Sequence, residues 1–133
     1  MRKIRVYNFE NYEMWIADSY EDLAALFMAL NTDDSKYSDP MQSTGLLDVH
    51  GNEVFEGDVV GTTWFNGYDD LVGYRRLGGR VVYRKGSFCI EYPGDSKKGY
   101  SPTILDLAIN VEIIGNIFEN PELLKEVEDD TKV

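Results

Sequence analysis

The alternation of apolar and polar residues changes period within the first forty residues. Lys3–Tyr7 alternates between polar and apolar residues, which predicts a strand, and Glu13–Ala17 is expected to pair back with it as a second strand after a turn. The next apolar side chains recur at helical spacing, in a stripe formed by Leu23, Leu26, Phe27 and Leu30. Ser19 lies three residues before Asp22, an arrangement typical of a helix N-cap. We predict an amphipathic helix here, followed by an exposed acidic loop that ends at Pro40.

From Met41 onward the pattern is that of short strands separated by turn residues. Lys85 and Gly86 lie between two apolar runs, which is the chemistry of a tight hairpin with glycine at positive φ. Asn120 followed by Pro121 predicts the cap and the first position of a short helix. The predicted strands are Glu53–Phe55, Asp58–Phe65, Tyr68–Arg76, Arg80–Arg84, Ser87–Tyr92 and Val111–Ile114.

Short strands with frequent turn signals are typical of a small barrel or of two packed sheets. The expected fold class is therefore α+β and β-dominated: a small barrel-like antiparallel sheet of SH3-like type, with an N-terminal amphipathic helix and a short C-terminal helix. A chain of 133 residues is long enough for a single domain with one core. Within it we expect strands, a helix and an acidic loop in 1–40, a β-rich core in 41–124 and a charged tail in 125–133.

The charges are distributed unevenly along the chain. The formal net charge is -11, and the segment from Glu10 to Asp70 holds 14 acidic residues against one base, Lys36. Between Gly73 and Lys98 the sign reverses, which gives a basic strip in an otherwise acidic chain. Neutralisation of phosphates supplies most non-specific affinity for nucleic acids. The acidic majority therefore argues against general DNA or RNA binding.

The sequence carries no pattern of a secretory signal or a membrane span. The N-terminus runs directly into strand-like sequence, and the longest apolar run, Leu23–Leu30, is far shorter than the roughly 20 residues that cross a bilayer. Cys89 is the only cysteine, so no disulfide can form within the chain. We therefore expect a cytoplasmic protein that makes no membrane contact.

The most specific feature of the chain is a set of three phrases that occur in order. They are QSTGLLDVHGNEVFEGDVV at 42–60, GRVVYRKGSFCIEY at 79–92 and VEIIGNIFENPELL at 111–124. These phrases resemble the YopX family, whose members carry Q-x-T-G-L-x-D-x-x-G-x-x-x-x-E-G-D-[IV]-V, a G-x-V-x-[YF] hairpin and V-I-G-N-I-[YF]-E-N-P-E-L-L. Three ordered phrases form a far more specific signal than a single glycine motif. The resemblance implies a mainly β protein encoded by bacteriophages or prophages, and it implies no reaction.

The first phrase holds four carboxylates and the only histidine, so it is the natural place to look for a metal or acid–base site. The spacing of Asp48 and His50 lacks the alternating acidic residues of a calcium loop. Turn-forming roles fit better, with Asp48 and Asn52 bonding nearby backbone and with Gly51 and Gly57 at bends of positive φ. We therefore predict no metal site and no cofactor, and we expect His50 to be a lone exposed histidine at the tip of the turn.

Nucleophilic catalysis has no support in the sequence. Cys89 lies in an apolar strand, where an inert core or surface thiol is the expected role. Ser43 and Thr44 precede Gly45 without a Gly-x-Ser-x-Gly elbow and without a second histidine. We therefore predict no catalytic residues and a non-enzymatic protein.

The middle of the chain is rich in tyrosine and arginine, a composition common at protein interfaces. The candidate interaction surface comprises Arg75, Arg76, Arg80, Tyr83, Arg84, Lys85 and Tyr92. We expect a binding or assembly module that contacts unidentified host or phage proteins. Because the rest of the chain is acidic, the basic strip also favours a homo-oligomer in which it meets the acidic face of a second copy.

Two other functions compete with this expectation. The acid excess between Glu10 and Asp70 is compatible with a mimic of nucleic acid that occupies a host nucleic-acid-handling protein. The strip from Arg75 to Lys98 is compatible with a small barrel that binds single strands, with Tyr83 and Tyr92 as stacking surfaces. An enzyme of unrecognised type is the weakest option, because no nucleophile–base pair can be assembled.

Overall fold

The computed structural model describes residues 2–64, 74–108 and 110–124. These residues contain one α-helix, α1 (Tyr20–Thr32), which begins at the predicted N-cap: Ser19 Oγ accepts a hydrogen bond from Asp22 N at 3.1 Å. The strands are β1 (Ile4–Asn8), β2 (Glu13–Ala17), β3 (Met41–Leu47), β4 (Glu53–Phe55), β5 (Asp58–Trp64), β6 (Tyr74–Arg84), β7 (Ser87–Glu91), β8 (Thr103–Ile104) and β9 (Glu112–Asn116). No helix in these ranges is long and apolar enough to cross a membrane.

The strands of the described segments form two antiparallel sheets. The first sheet has the order β2-β1-β3-β4, and the second has the order β8-β7-β6-β5-β9. In the second sheet β5 to β8 form a meander, and β9 returns to pair with β5, so that the sheet curls into a half-barrel. The prediction of a β-dominated α+β fold is thereby confirmed.

Strand β3 is absent from the predicted strands because its sequence is polar. Ser43 and Thr44 are nevertheless buried, and both hydroxyls are hydrogen-bonded. Thr44 Oγ1 donates to Val54 O at 2.7 Å, and Ser43 Oγ accepts from Gly45 N at 3.0 Å. A buried hydroxyl with a partner avoids most of the cost of leaving water. The first sheet therefore extends past the expected boundary at residue 40, since β3 and β4 belong to it.

Within the described segments, buried side chains form two clusters. The larger cluster lies in the half-barrel and comprises Val54, Val60, Val81, Ile90, Tyr92, Leu105 and Val111. The smaller cluster joins α1 to β1 and β2 and comprises Val6, Ala17 and Leu26. Leu23 and Leu30 pack against it, whereas Phe27 is 48% exposed. The predicted helix is thus present, and Leu26 is its fully buried residue.

A buried ion pair joins the two sheets. Arg5 Nη2 of β1 donates to Asp58 Oδ1 of β5 at 2.9 Å, and both side chains are buried. Arg5 also donates to Glu56 O at 3.1 Å, and its guanidinium lies 4.6 Å from the centroid of the Phe55 ring. Burial raises the pKa of Asp58, while the Arg5 charge and the Phe55 N–H oppose that rise. The ion pair therefore holds Asp58, near the end of the first phrase, against β1.

The predicted bends form at the expected glycines. Lys85 and Gly86 both have positive φ, 50° and 86°, which is the geometry of a two-residue hairpin turn. Gly51 has φ of 83° and Gly57 has φ of 84°, in the left-handed region that favours glycine. The first phrase therefore turns where its glycines predict.

Two predicted features are only partly described. The short C-terminal helix corresponds to a single 3₁₀ turn, Pro121–Leu124. Of the strand expected at Tyr68–Arg76, residues 68–73 lie outside the described residues. Its last three residues begin β6, which starts at Tyr74. The charged tail at 125–133 lies outside the described residues as well.

Candidate binding groove

A groove with a volume of about 510 Å³ separates the two sheets. Its size falls within the roughly 300–1,000 Å³ that is usual for ligand sites. Phe9 and residues 37–41 form one side, and residues 80–84 of β6 form the other. The lining is completed by Glu56, Gly57, Ile117 and Phe118.

The three phrases singled out in the sequence meet in this groove. The first contributes Glu56 and Gly57, the second contributes residues 80–84, and the third contributes Ile117 and Phe118. Two backbone hydrogen bonds hold the phrases together: Gly57 N donates to the carbonyl of residue 81, and Ile117 N donates to Gly57 O, both at 2.9 Å. The most specific parts of the sequence therefore converge on one surface.

An aromatic cluster forms one end of the groove. The Phe118 ring stacks on Tyr7 with centroids 5.0 Å apart, and Phe9 meets both rings edge-on. Asn116 Oδ1 accepts a hydrogen bond from Phe118 N at 3.0 Å, and Asn120 Oδ1 accepts one from Asn116 N at 3.2 Å. These bonds fix the backbone on either side of Phe118. Because Phe9 is 46% exposed, the cluster offers apolar ring surface to a ligand.

Three of the residues predicted as an interaction surface line the groove: Arg80, Tyr83 and Arg84. Tyr83 is exposed and packs edge-on against Phe88. Arg84 Nη2 lies 3.5 Å from Glu91 Oε2. Arg80 is exposed and makes no ion pair with any residue that the structure describes. The groove thus joins aromatic surface to positive charge.

Three other members of the predicted surface lie outside the groove. Arg75 pairs with Glu112, and Arg76 Nη2 donates to Asp95 Oδ1 at 2.7 Å, so acids of the same chain already neutralise both cations. Lys85 is exposed in the hairpin turn. The basic strip is therefore less available to a partner than the sequence indicates.

Tyr92 is a core residue, which corrects its assignment to an exposed surface. Its side chain is 6% exposed, and its hydroxyl lies 2.6 Å from Thr62 Oγ1. The Arg76 guanidinium covers the ring at 3.9 Å from the centroid. Burial raises the pKa of Tyr92, with Thr62 and Arg76 opposing the rise. A buried and covered ring cannot stack on a base, so Tyr92 drops out of the nucleic-acid hypothesis.

Asp48 anchors the turn of the first phrase. Its side chain is buried, Oδ1 accepts from His50 N at 3.0 Å and from Asn52 N at 2.9 Å, and Oδ2 accepts from Ile113 N of β9 at 3.1 Å. Burial works to raise the pKa of Asp48, but these three N–H donors outweigh it and hold the pKa below its usual value. The predicted turn role is confirmed, and the carboxylate also binds β9.

The expectation that His50 is a lone exposed histidine is wrong, because its ring has a carboxylate partner. Its Nε2 lies 3.0 Å from Glu112 Oε2, and Arg75 donates to the other oxygen of the same carboxylate. The hydrogen bonds from His50 and Arg75 lower the pKa of Glu112. Because His50 and Glu112 are far apart in the sequence, no local pattern reveals the pair. His50 is exposed and lies outside the groove, so its contact ties the Asp48 turn to β9.

The described residues offer little for metal or thiol chemistry. Within ranges 2–64, 74–108 and 110–124, no group of three or more His, Cys, Asp or Glu residues is placed to hold a metal ion. The buried Cys89 Sγ donates to Ser87 O at 3.6 Å. The groove lining combines aromatic side chains and arginines with the acids Asp39 and Glu56.

The aromatic residues that complete the groove are absent from the predicted interaction surface. Phe9 and Tyr37 lie in the less distinctive N-terminal region, and no local signal marks them. Phe118 had a signal, since it lies between Asn116 and Asn120 in the third phrase. Asparagine is common in turns because its side chain bonds nearby backbone, so the two asparagines indicate a turn around Ile117 and Phe118.

A solved structure has a similar fold. The crystal structure of protein EF1440 from Enterococcus faecalis matches with a TM-score of 0.55 and 24% sequence identity, and the match covers 94% of this chain and 99% of that chain. At this identity the likeness concerns the fold alone. No curated protein matches the chain.

The resemblance carried by the three phrases extends over nearly the whole sequence. The family model described as YopX protein matches residues 2–125. The match includes the first forty residues and with them the side of the groove formed by Phe9 and residues 37–41. The chain belongs to the YopX family.

Proposed function

We propose that this chain is a non-enzymatic binding module, encoded by a phage or prophage, that acts through protein–protein contacts in the cytoplasm of a bacterial host. The observation that carries the proposal is the convergence of the three family phrases on one groove. A groove lined by phenylalanine, tyrosine and arginine has the composition of the core of a protein interface. Membership of the YopX family supports the phage origin.

We also propose that the half-barrel is of SH3-like type. Support comes from the strand order, in which the meander of β5 to β8 is followed by the 3₁₀ turn Leu105–Leu107, after which β9 pairs with β5. Domains of this type bind extended peptides in aromatic-lined grooves. An extended segment of a partner protein is thus the form of ligand that we expect.

Association between two copies of the chain is a weaker candidate for the use of the basic strip. The net charge of -11 makes two copies repel each other. Arg75, Arg76 and Arg84 each pair with an acid of their own chain. The same pairing reduces the charge that the strip offers to phosphates. We therefore favour a different protein as the partner.

An acidic mimic of nucleic acid is the second candidate function. The N-terminal acids that support it lie on the surface, where Glu10, Glu13, Asp18, Glu21, Asp33, Asp34 and Asp39 are all exposed. The partner would then be a host nucleic-acid-handling protein. Binding would use this acidic surface and not the aromatic part of the groove.

Affinity capture from a bacterial host lysate separates these two proposals. We expect the wild-type chain to retain a protein partner, and Phe9→Ser and Tyr83→Ser to lose it, because both changes remove exposed aromatic surface from the groove. The matched control is Tyr20→Ser, which removes an aromatic ring that is 75% exposed and lies outside the groove. Mass spectrometry quantifies the captured protein.

A partner that is lost with Asp33→Lys/Asp34→Lys but retained by Phe9→Ser and Tyr83→Ser would support the acidic mimic and contradict the groove. A partner retained by all of these variants would contradict both proposals.

A further inference from the structure

Arg80 carries a positive charge that no acid of the described chain neutralises. In the register of the hairpin, Arg80 lies directly opposite Glu91. Glu91 Oε2 is instead 3.5 Å from Arg84 Nη2, and no acid among the described residues lies within ion-pair distance of Arg80. An exposed guanidinium without an internal partner can donate two parallel hydrogen bonds to a carboxylate. Among the described residues that line the groove, Arg80 is therefore a cation available to a ligand.

We propose that the groove selects an extended peptide segment in which one Asp or Glu side chain lies next to an apolar residue, and that Arg80 binds this carboxylate. The inference rests on the proposed protein-binding function and names the chemistry of its ligand. The apolar neighbour packs on the aromatic end of the groove, where Phe9 and Phe118 meet with ring centroids 5.8 Å apart. Charge complementarity and aromatic surface together define the ligand.

Two acidic residues in the groove lining disfavour a ligand with several acidic side chains. Asp39 and Glu56 line the same groove as Arg80. Glu56 Oε1 accepts a hydrogen bond from Gln42 N at 2.8 Å, which holds that carboxylate in place. A run of acidic side chains along the groove would bring like charges close to both residues. The groove consequently favours a single carboxylate at Arg80 and disfavours a polyacidic tract.

Selection from a displayed library of short random peptides tests this inference, with the full-length chain as bait. We expect the wild-type chain to enrich peptides that carry a single Asp or Glu beside an apolar residue. Arg80→Glu reverses the charge, so we expect Lys or Arg at that peptide position instead. Arg80→Lys keeps the charge but loses the planar fork, so we expect weaker enrichment. The matched control is Lys85→Glu, the same charge change at an exposed turn position outside the groove lining.

An enriched peptide with a fluorescent label gives the size of the effect by anisotropy. We expect Arg80→Glu to weaken binding by about tenfold to a hundredfold and Lys85→Glu to change it by less than about twofold. Replacing the acidic residue of the peptide with its amide should weaken binding to the wild-type chain by about tenfold. Circular dichroism checks that Arg80→Glu keeps its fold, as expected for an exposed residue.

Three results would overturn the inference: enrichment without an acidic preference, an acidic preference that persists in Arg80→Glu, or no enrichment at all. In each case, capture of a protein partner that is lost with Phe9→Ser and Tyr83→Ser would leave the proposed function standing. If capture of the partner protein does not depend on Phe9 and Tyr83, the proposed function itself fails. The two failures are therefore distinguishable.

Discussion

Replacing Asp58 with alanine is expected to lower the free energy of unfolding by about 3–5 kcal/mol. The change leaves the Arg5 guanidinium buried between the sheets without its counter-charge. It also removes Asp58 Oδ2, which accepts a hydrogen bond from Phe55 N at 2.8 Å. Urea denaturation followed by circular dichroism measures the loss. A midpoint like that of the wild type would show that this ion pair does not hold the two sheets together.

A double variant separates the effect of charge from that of packing. Arg5→Met/Asp58→Asn removes both charges, while asparagine keeps an oxygen for Phe55 N. Removing both members of a buried ion pair is far less costly than removing one. We therefore expect the double variant to recover most of the stability that Asp58→Ala loses. Equal losses in the two variants would mean that side-chain packing, and not the unpaired charge, causes the effect.

Asp48→Ala is expected to lower the free energy of unfolding by about 2–4 kcal/mol. The change leaves the N–H groups of His50, Asn52 and Ile113 without their acceptor, and it releases the turn of the first phrase from β9. The same urea experiment measures the loss. Asp34→Ala is the matched control, because Asp34 is exposed, and it should change stability by less than about 0.5 kcal/mol. A comparable effect of the two variants would contradict the anchoring role.

The effect of Asp48→Ala should also depend on pH. Since the pKa of Asp48 is lowered in the folded protein, its carboxylate contributes stability above the ordinary aspartate value of about 3.9. That contribution is lost as the pH falls through the lower pKa of the folded state. The difference between Asp48→Ala and the wild type should therefore be large at about pH 6.5 and smaller at about pH 2.5. A difference that stays constant would indicate that the charge of Asp48 is not involved.

Features set by neighbouring residues were predictable from the sequence. The hairpin forms at Lys85 and Gly86 because both adopt the positive φ of a two-residue turn. The helix begins directly after Ser19 because the Ser19 hydroxyl caps its first turn. The bends at Gly51 and Gly57 follow from the left-handed backbone that glycine favours. Each of these signals lies within a few residues of the structure that it specifies.

Features set by distant contacts were not predictable in this way. Strand β3 is polar in sequence, and its burial depends on hydrogen bonds that include one from Thr44 to Val54. Tyr92 was grouped with the arginines and tyrosines of the predicted interaction surface, and its burial depends on packing within the half-barrel cluster. The partner of His50 lies on β9. Only the placement of one segment against another determines these contacts, and the hydrophobic pattern does not encode that placement.

The groove belongs to this second group. Its two sides come from different sheets, and the ion pair of Arg5 and Asp58 joins those sheets. The sequence supplied Arg80, Tyr83 and Arg84 as members of an interaction surface, but it did not supply the aromatic end that faces them. The family phrases marked the segments that meet there. Their convergence became visible only when the fold brought the segments together.

Photo-crosslinking from within the groove tests most directly whether the groove binds a partner. Tyr83 is replaced by the photoreactive residue benzoylphenylalanine, and in a matched chain the same replacement is made at Tyr100, which is exposed and outside the groove lining. On irradiation in bacterial cells, we expect a covalent adduct with a partner protein from position 83 and none from position 100. No adduct from position 83, or equal yields from both positions, would contradict the groove as the binding site.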